Sequence, residues 1–356
     1  MLASLRICAI LILLPGFLFL PSTAPAGNST KIKHKDDSIV LDNGDHITGE
    51  VKKMEHGMLY FKSDRTIGTL QFDWLRIRRI HSRGRYEFEL DSGIRLIGII
   101  AEDPENKNAD GALVLNLSSG DSVSIKLGNI LGIREMDRSF LSRVNLSLNA
   151  GVTFTQANHN TQFTFQGSIG FVKPNYSLSI NANSLFSTQE GAQDINRHEL
   201  FTSVKRNIST KWSYLGLVDL LHDSELALEL RSTVGGGLQR SLVKTNRVDF
   251  FVFGGAAYSR ENYVGSAQDR SNGEFLGGLG LTAYQFRSSE IGAYVIVYPS
   301  FTDFGRVRID TSDYWKWELI KDLYWNVSLF DNYDNNPVPG APNNNFGVTT
   351  SLGWTF

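Results

Sequence analysis

Apolar and small polar residues alternate along the chain from Val144 to its last residue. In the first such segment the polar face is built from Asn, Ser, Gly and Thr, and the same pattern returns in later segments, including the closing one. The apolar positions of the first segment are Val144, Leu146, Leu148, Ala150, Val152 and Phe154. Alternation with a period of two predicts β-strands. The region 139–356 is therefore predicted to be an antiparallel ladder of about twelve strands.

The lengths of the predicted connections distinguish a soluble sandwich from a membrane barrel. Connections after even-numbered strands are tight, whereas three connections after odd-numbered strands are long: Ser187 to Asn196, Glu261 to Gly273 and Asp331 to Asn344. A sandwich has no reason to sort its connections by parity, but an outer-membrane barrel has short turns on one side and longer loops on the other. The prediction is an all-β protein with an up-and-down transmembrane β-barrel.

Aromatic residues support the same topology. Five of the six tryptophans fall at the predicted periplasmic end of their strands, where indole rings favour the membrane–water interface. These predicted interface residues are Trp212, Trp315, Trp317, Trp325 and Trp354. The last residue, Phe356, lies on the apolar face of the closing strand, and we interpret this terminal aromatic as a signal for barrel assembly.

The segment 38–138 repeats itself. Leu41-Asp42-Asn43-Gly44 and Leu90-Asp91-Ser92-Gly93 lie 49 residues apart, and so do Gly49 and Gly98. The later apolar positions align with an offset of 53, because the second copy gains four residues around 103–110. Each copy holds four or five short strands with turn residues between them. The segment is predicted to be two small SH3-like or Sm-like β modules in tandem.

The first 26 residues resemble a secretory signal peptide. A positive charge at Arg6 precedes an apolar core, and small residues end the segment at Ala26. Residues 27–37 are predicted to be a linker. The only cysteine, Cys8, lies within the signal, so a disulfide framework is excluded for the mature chain. The predicted location is the outer membrane of a Gram-negative cell, with 38–138 in the periplasm.

Charge and residue clusters give little sign of chemistry. With 35 basic and 37 acidic residues the chain has no positive excess to attract nucleic acid. The turn residues Asp42, Asp45, His46 and Asp91 could form a metal site, but turn carboxylates usually bind their own backbone. No metal and no cofactor are predicted. A basic run could contact anionic glycan or lipid headgroups; it contains Arg76, Arg78, Arg79, His81, Arg83 and Arg85.

The interior of the predicted barrel leaves several functions open. Strand parity assigns eight charged side chains of mixed sign to the lumen: Glu199, Glu229, Arg231, Glu274, Arg308, Asp310, Lys316 and Glu318. They suit a narrow channel for small solutes or ions, or a non-conducting structural barrel that tethers periplasmic modules. A barrel hydrolase is a weaker hypothesis, because His159 lacks an acidic sequence neighbour and His222-Asp223-Ser224-Glu225 alternates between the two faces of a strand. The third histidine of this region, His198, lies near the start of a strand. We predict no enzymatic activity.

The segment from Asp310 to Phe356 carries a family resemblance. It has a long tryptophan-bearing hairpin, the loop Tyr333-Asp334-Asn335-Asn336-Pro337-Val338-Pro339 and the closing strand. In these features the chain resembles the salt-induced outer-membrane proteins, whose domain has no established function. The resemblance implies a porin-like barrel in the cell envelope, with outer-membrane lipids and the barrel-assembly machinery as partners. The tandem modules depart from the family pattern, and peptidoglycan or another periplasmic component is a candidate partner for them.

Overall fold

A computed structural model describes residues 36–63, 65–66, 68–101, 111–136, 144–155, 160–172, 176–189, 191, 193–209, 211–265, 268–284, 289–320 and 323–355. These residues form strands and two short 3-10 helices, Trp74–Arg76 and Leu127–Asn129. None of the helices in these ranges is long and apolar enough to cross a membrane. The predicted signal peptide, the linker up to residue 35, His159 and Phe356 lie outside the described residues.

The N-terminal region forms a 10-stranded sheet. Its first half contains β1 (Asp37–Leu41), β2 (His46–Glu55), β3 (Met58–Lys62), β4 (Leu70–Asp73) and β5 (Ile77–His81). Its second half contains β6 (Arg85–Leu90), β7 (Arg95–Ile100), β8 (Ala112–Leu117), β9 (Ser122–Lys126) and β10 (Ile130–Glu135). In each half a 3-10 helix precedes the fifth strand, and the first strand pairs with both the second and the fifth.

Equivalent backbone contacts in the two halves explain the sequence repeat. Gly49 and Gly98 each face the backbone of the third strand of their own half, where an added Cβ would lie 2.3 Å from the Lys62 oxygen or 2.5 Å from the Asn116 oxygen. Glycine is required at both positions because no side chain fits this close approach. The repeated glycines are therefore packing residues.

The two halves share one hydrophobic core. Strand β2 of the first half pairs with β10 of the second, and a single buried cluster extends from Ile39 to Ile133. Trp74, fully buried in the first half, donates from Nε1 to the Leu127 carbonyl of the second half at 2.7 Å. The two repeats thus form one joined unit, which we call the N-terminal domain (residues 37–135).

Twelve further strands close into an antiparallel barrel in which each strand pairs with its neighbours in the chain. They are β11 (Val144–Thr155), β12 (Asn160–Val172), β13 (Tyr176–Thr188), β14 (Ile195–Asn207), β15 (Trp212–Asp223), β16 (Leu228–Lys244), β17 (Val248–Tyr263), β18 (Arg270–Ala283), β19 (Ser289–Pro299), β20 (Val307–Ile320), β21 (Leu323–Asp334) and β22 (Asn344–Thr355). Pairing of β11 with β22 closes the barrel. The predicted all-β fold with a twelve-stranded barrel is confirmed.

The connections differ in length between the two ends of the barrel. At one end, which we call the turn end, the shortest connection is 321–322 and the longest is 284–288. At the opposite end, the loop end, the longest connection is 335–343. The loop-end connections are shorter than predicted, because the strands run further. Strand β17 reaches Tyr263, for example, so that Glu261 lies in a strand and not in a loop.

Candidate functional site: the barrel lumen and its two ends

The outer wall of the barrel is apolar. Large hydrophobic side chains on alternate strand positions are exposed, among them Val152, Phe163, Val234, Phe275, Phe346 and Val348. A soluble monomer rarely exposes an apolar surface that extends around its whole circumference. The wall therefore requires a covering of lipid or of another apolar surface.

Tryptophans occupy the outer wall at the turn end. All five barrel tryptophans are exposed, and they lie near the short connections 208–211 and 321–322 or near the end of β22. Trp315 stacks on Trp317 with ring centroids 5.8 Å apart, and Trp325 Nε1 donates to Thr350 Oγ1 at 2.6 Å. Trp212 lies under the guanidinium of Arg240, 5.4 Å from its ring centroid. The predicted interface residues thus lie at one end of the barrel.

The lumen near the loop end contains a layer of buried ion pairs. Arg308 donates to both carboxylate oxygens of Glu274, at 2.9 Å and 2.7 Å. Glu261 accepts from Arg231 at 2.8 Å and also pairs with Arg306, which reaches Asp334 on its other side. We call these residues the ion-pair layer: Arg231, Glu261, Glu274, Arg306, Arg308 and Asp334. Two-pronged charge pairs of this kind fix the side chains in one arrangement.

Apolar side chains fill the lumen beside the ion-pair layer. One cluster contains Leu217, Ala257, Leu276 and Tyr298, packed against Phe201, Phe253 and Ile296. A second cluster lies at the loop end, where Val338 and Ala341 of the connection 335–343 pack on Leu221, Leu226, Leu228 and Tyr263. The last connection therefore folds over the mouth of the barrel. Together with the ion pairs, these clusters occupy much of the loop-end half of the lumen.

One side of the lumen is polar instead. Alternate positions of β11, β12 and β13 carry Ser, Asn, Gln and Thr, and most of them are only half-buried. Gln166 accepts from Asn149 and from Asn326, both at 3.1 Å. Polar side chains that retain access to solvent indicate space along this side of the lumen.

The N-terminal domain contacts the turn end of the barrel. Arg247, in the connection between β16 and β17, donates to Asp73 at 2.7 Å. The neighbouring Asn246 donates to the carbonyl oxygens of Ile130 at 3.0 Å and Gly128 at 3.3 Å. In addition His56 stacks on Tyr284, with ring centroids 4.3 Å apart and nearly parallel planes. These contacts fix the domain against two adjacent turns of the barrel.

Glu89 is the most buried charged contact of this interface. It accepts from Lys244, at the end of β16, and also pairs with Arg95 and Arg134 of its own domain. Burial alone raises the pKa of Glu89, but the three cations outweigh burial and lower it to about 2. The carboxylate is therefore ionised when the domain is docked, and its charge stabilises the interface.

The eight residues predicted to face the lumen occupy different environments. Arg231, Glu274 and Arg308 belong to the ion-pair layer. Glu199 accepts from Arg197, Asp310 accepts from Asn332, and the ammonium of Lys316 lies 4.8 Å from the Tyr324 ring centroid. Two more are exposed, Glu229 and Glu318. Glu229 lies at a β-bulge between Leu228 and Leu230, where counting by parity fails.

The sequence prediction missed several charged residues of the lumen, including Glu261, Arg306 and Arg197. Glu261 was placed in a connection, and Arg306 and Arg197 were not assigned a role. Arg197 donates to Asn332 at 3.0 Å and lies over the Phe330 ring at 4.2 Å. Glu261 is a charged residue near the end of a strand, at an alternate position that continues the polar face. This pattern is the sequence signal that could have identified it.

The candidate catalytic and metal residues take part in local contacts. Asp223 accepts from Asn345 at 2.9 Å and from the backbone of Glu225 at 3.0 Å, while His222 contacts the Glu229 carbonyl at 2.8 Å and stacks against His198. Asp45 accepts from the side chain of Asn43 within its turn. Across the described ranges, no group of three or more His, Cys, Asp or Glu residues is arranged to hold a metal ion.

A protein family described as "Protein of unknown function, DUF481" matches residues 148–356. The chain belongs to this family. The match covers nearly the whole barrel and agrees with the predicted membership of an uncharacterised barrel family. The salt-induced name stays a prediction. No curated protein matches the chain.

Three solved structures are similar to this DUF481 member. The NanC porin is 11% identical, covers 60% of this chain and 98% of its own, and has a TM-score of 0.38. The translocator domain of the autotransporter NalP from Neisseria meningitidis is 15% identical over 59% of this chain and 87% of its own, with a TM-score of 0.32. The outer membrane channel DcaP of Acinetobacter baumannii is 10% identical over 90% and 94%, with a TM-score of 0.28. At these values none of them informs the function.

Proposed function

We propose that this protein is an outer-membrane barrel that does not conduct in its resting state and that anchors the N-terminal domain at the periplasmic face of the membrane. The apolar outer wall supports the membrane location, because a lipid bilayer covers such a surface without cost. The tryptophans at the turn end suit the periplasmic headgroup layer. The N-terminal domain then lies in the periplasm, where it contacts the turn end.

The ion pairs and apolar clusters in the loop-end half of the lumen are the observation that carries the anchoring function. Arg308, its partner Glu274 and the adjacent apolar cluster occupy the space that a channel would keep open. The same ion pairs hold strands β18 and β20 together across the intervening strand. Three of the charges predicted for the lumen, Arg231, Glu274 and Arg308, thus connect parts of the barrel wall. A peptidoglycan or other envelope ligand would bind the N-terminal domain.

Fractionation and heat-modifiable migration test this proposal. The protein should be recovered with outer membranes, and its folded form should migrate faster than the boiled form on a denaturing gel. A variant that places charge on the outer wall, Val348→Asp, should assemble poorly, because charge facing lipid is costly. The matched variant Thr349→Asp changes a lumen position of the same strand. Recovery in the soluble periplasm without a mobility shift would refute the membrane assignment.

A gated narrow channel is a second candidate function. The half-buried polar residues along β11 to β13 favour it, since they would line a passage if the loop-end residues moved aside. Single-channel recording separates the two functions, because only an open passage carries current.

A further inference from the structure

A row of four polar residues crosses the lumen wall on four consecutive strands. Asp219 on β15 is the direct cross-strand partner of Thr233 on β16, Thr233 is the partner of Ser259 on β17, and Ser259 is the partner of Asn272 on β18. Directly paired residues of an antiparallel sheet have their Cβ atoms about 5 Å apart. Their side chains point to the same side of the sheet, so the row presents a continuous polar surface to the lumen.

These four residues are buried, and each has a polar atom without a partner. Asp219 is 6% exposed, Thr233 1% and Ser259 0%. Among the described residues, Asp219 Oδ1, Thr233 Oγ1, Ser259 Oγ and Asn272 Nδ2 have no hydrogen-bond partner. A buried ionised carboxylate without a partner is strongly unfavourable, so a charge of opposite sign or a proton must compensate it.

The neighbouring arginines do not supply this compensation. Arg231 is bonded to Glu261 and Arg308 is bonded twice to Glu274. Both guanidinium groups attract Asp219, whereas the carboxylates of Glu199 and Asp310 repel it. Glu199 and Asp310 add negative charge beside Asp219, and this charge favours a mobile cation at this position.

We propose that Asp219, Thr233 and Ser259 bind one monovalent metal cation in the lumen. A bound cation would accept lone pairs from all three oxygen atoms at once, whereas a proton on Asp219 would satisfy one oxygen. A single carboxylate with two hydroxyls is a poor set for Ca²⁺ or Mg²⁺, which take more carboxylates or several waters. The three oxygens are also shielded from water, which suits a dehydrated alkali ion. Asn272 ends the row with a nitrogen donor and is not a ligand in this orientation.

The proposed site lies deeper than either end of the barrel and does not depend on conduction. In a closed barrel it is a structural cation that stabilises β15 to β17. If the barrel opens, the same site gives the lumen a preference for cations. Its test is therefore made on the purified, folded, full-length protein without any measurement of current.

Rubidium is a suitable probe because its anomalous scattering locates it directly. Crystals of the wild-type protein grown in rubidium chloride should show an anomalous peak in contact with Asp219, Thr233 and Ser259. The thermal midpoint of barrel unfolding should rise with rubidium concentration at constant ionic strength, with choline chloride as the replacement salt. Asp219→Asn should weaken the apparent affinity about tenfold or more, the loss expected for one charge-assisted contact. Thr233→Val should weaken it less.

Asp313→Asn is the matched control, because it makes the same chemical change outside the lumen. Asp313 lies on β20 at an alternate position in line with Trp315 and Trp317, which face outward. Its response to rubidium should equal that of the wild type. A wild-type crystal without a peak at Asp219 would overturn the proposal, and so would an unchanged rubidium response in Asp219→Asn. A carboxylic-acid C=O absorption at neutral pH that is present in rubidium and absent from Asp219→Asn would also overturn it, since it would identify a proton as the compensating charge.

Discussion

Glu89 of the N-terminal domain accepts a hydrogen bond from Lys244, a residue of barrel strand β16 that lies 155 positions later in the chain. Glu89 is buried, and it holds two cations of its own domain together with Lys244. This contact connects the domain to the barrel electrostatically. The strength of domain docking should therefore follow the charge of these two residues.

Charge reversal tests this connection. Glu89→Lys should weaken docking by about 2 kcal/mol or more, because it places a cation against Lys244, Arg95 and Arg134. Lys244→Glu should weaken docking by a smaller amount, since Lys244 is more exposed. The double variant should recover part of the loss. Hydrogen exchange of the turn 245–247 in the full-length protein measures docking for each member of this double-mutant cycle. Strict additivity of the two changes would show that the residues do not interact.

Docking should also depend on pH in the acidic range. In the folded protein burial raises the pKa of Glu89, but Lys244, Arg95 and Arg134 together lower it from its ordinary 4.5 to about 2. A lowered pKa means that the contribution of this group is complete above pH 4.5 and is lost as the pH falls toward 2, by about 1–3 kcal/mol. Hydrogen exchange of the same turn between these pH values measures the loss. Glu89→Gln should have a weaker pH dependence, and an identical profile in this variant would contradict the assignment.

The sequence predicted the barrel well, because alternation alone places each residue on the wall or in the lumen. Alternation could not predict which lumen charges meet. Arg308 on β20 reaches Glu274 on β18, past the intervening β19, and only the register of three strands brings them together. Alternation also could not predict the bulge at Glu229 or the extension of β17 beyond Glu261, since both depend on local backbone geometry. The lumen was thus predicted as charged, and the choice between a narrow channel and a non-conducting barrel was left open.

The repeated glycines of the N-terminal domain provide a test of its internal symmetry. Gly49→Ala and Gly98→Ala should each destabilise the domain by about 1–3 kcal/mol, because the new methyl group would clash with backbone oxygens. Gly128→Ala is the control, since a Cβ there meets nothing within 4 Å. Urea unfolding followed by the fluorescence of the buried Trp74 measures the effect. If Gly49→Ala and Gly98→Ala were as stable as the control Gly128→Ala, the result would contradict the described packing.

Removing one partner from the ion-pair layer should be worse than removing both. Arg308→Met leaves the buried carboxylate of Glu274 uncompensated, at a cost of about 3–5 kcal/mol. The double variant Arg308→Met with Glu274→Leu should recover most of this loss, because an apolar pair can fill the same volume. The temperature at which the folded band converts to the unfolded band on gels measures both. Equal damage in the single and double variants would mean that the pair does not act as a unit.

Single-channel recording of the full-length wild-type protein in planar bilayers tests the closed barrel most directly. The heat-modifiable band first shows that the folded protein is present in the vesicles that form the bilayer. This protein should then give no current steps. A variant that removes half of the ion-pair layer, with Glu261, Arg306 and Arg308 replaced by alanine, should conduct if it remains folded. Reproducible current steps from the wild-type protein would contradict a closed, anchoring barrel and would establish the channel instead.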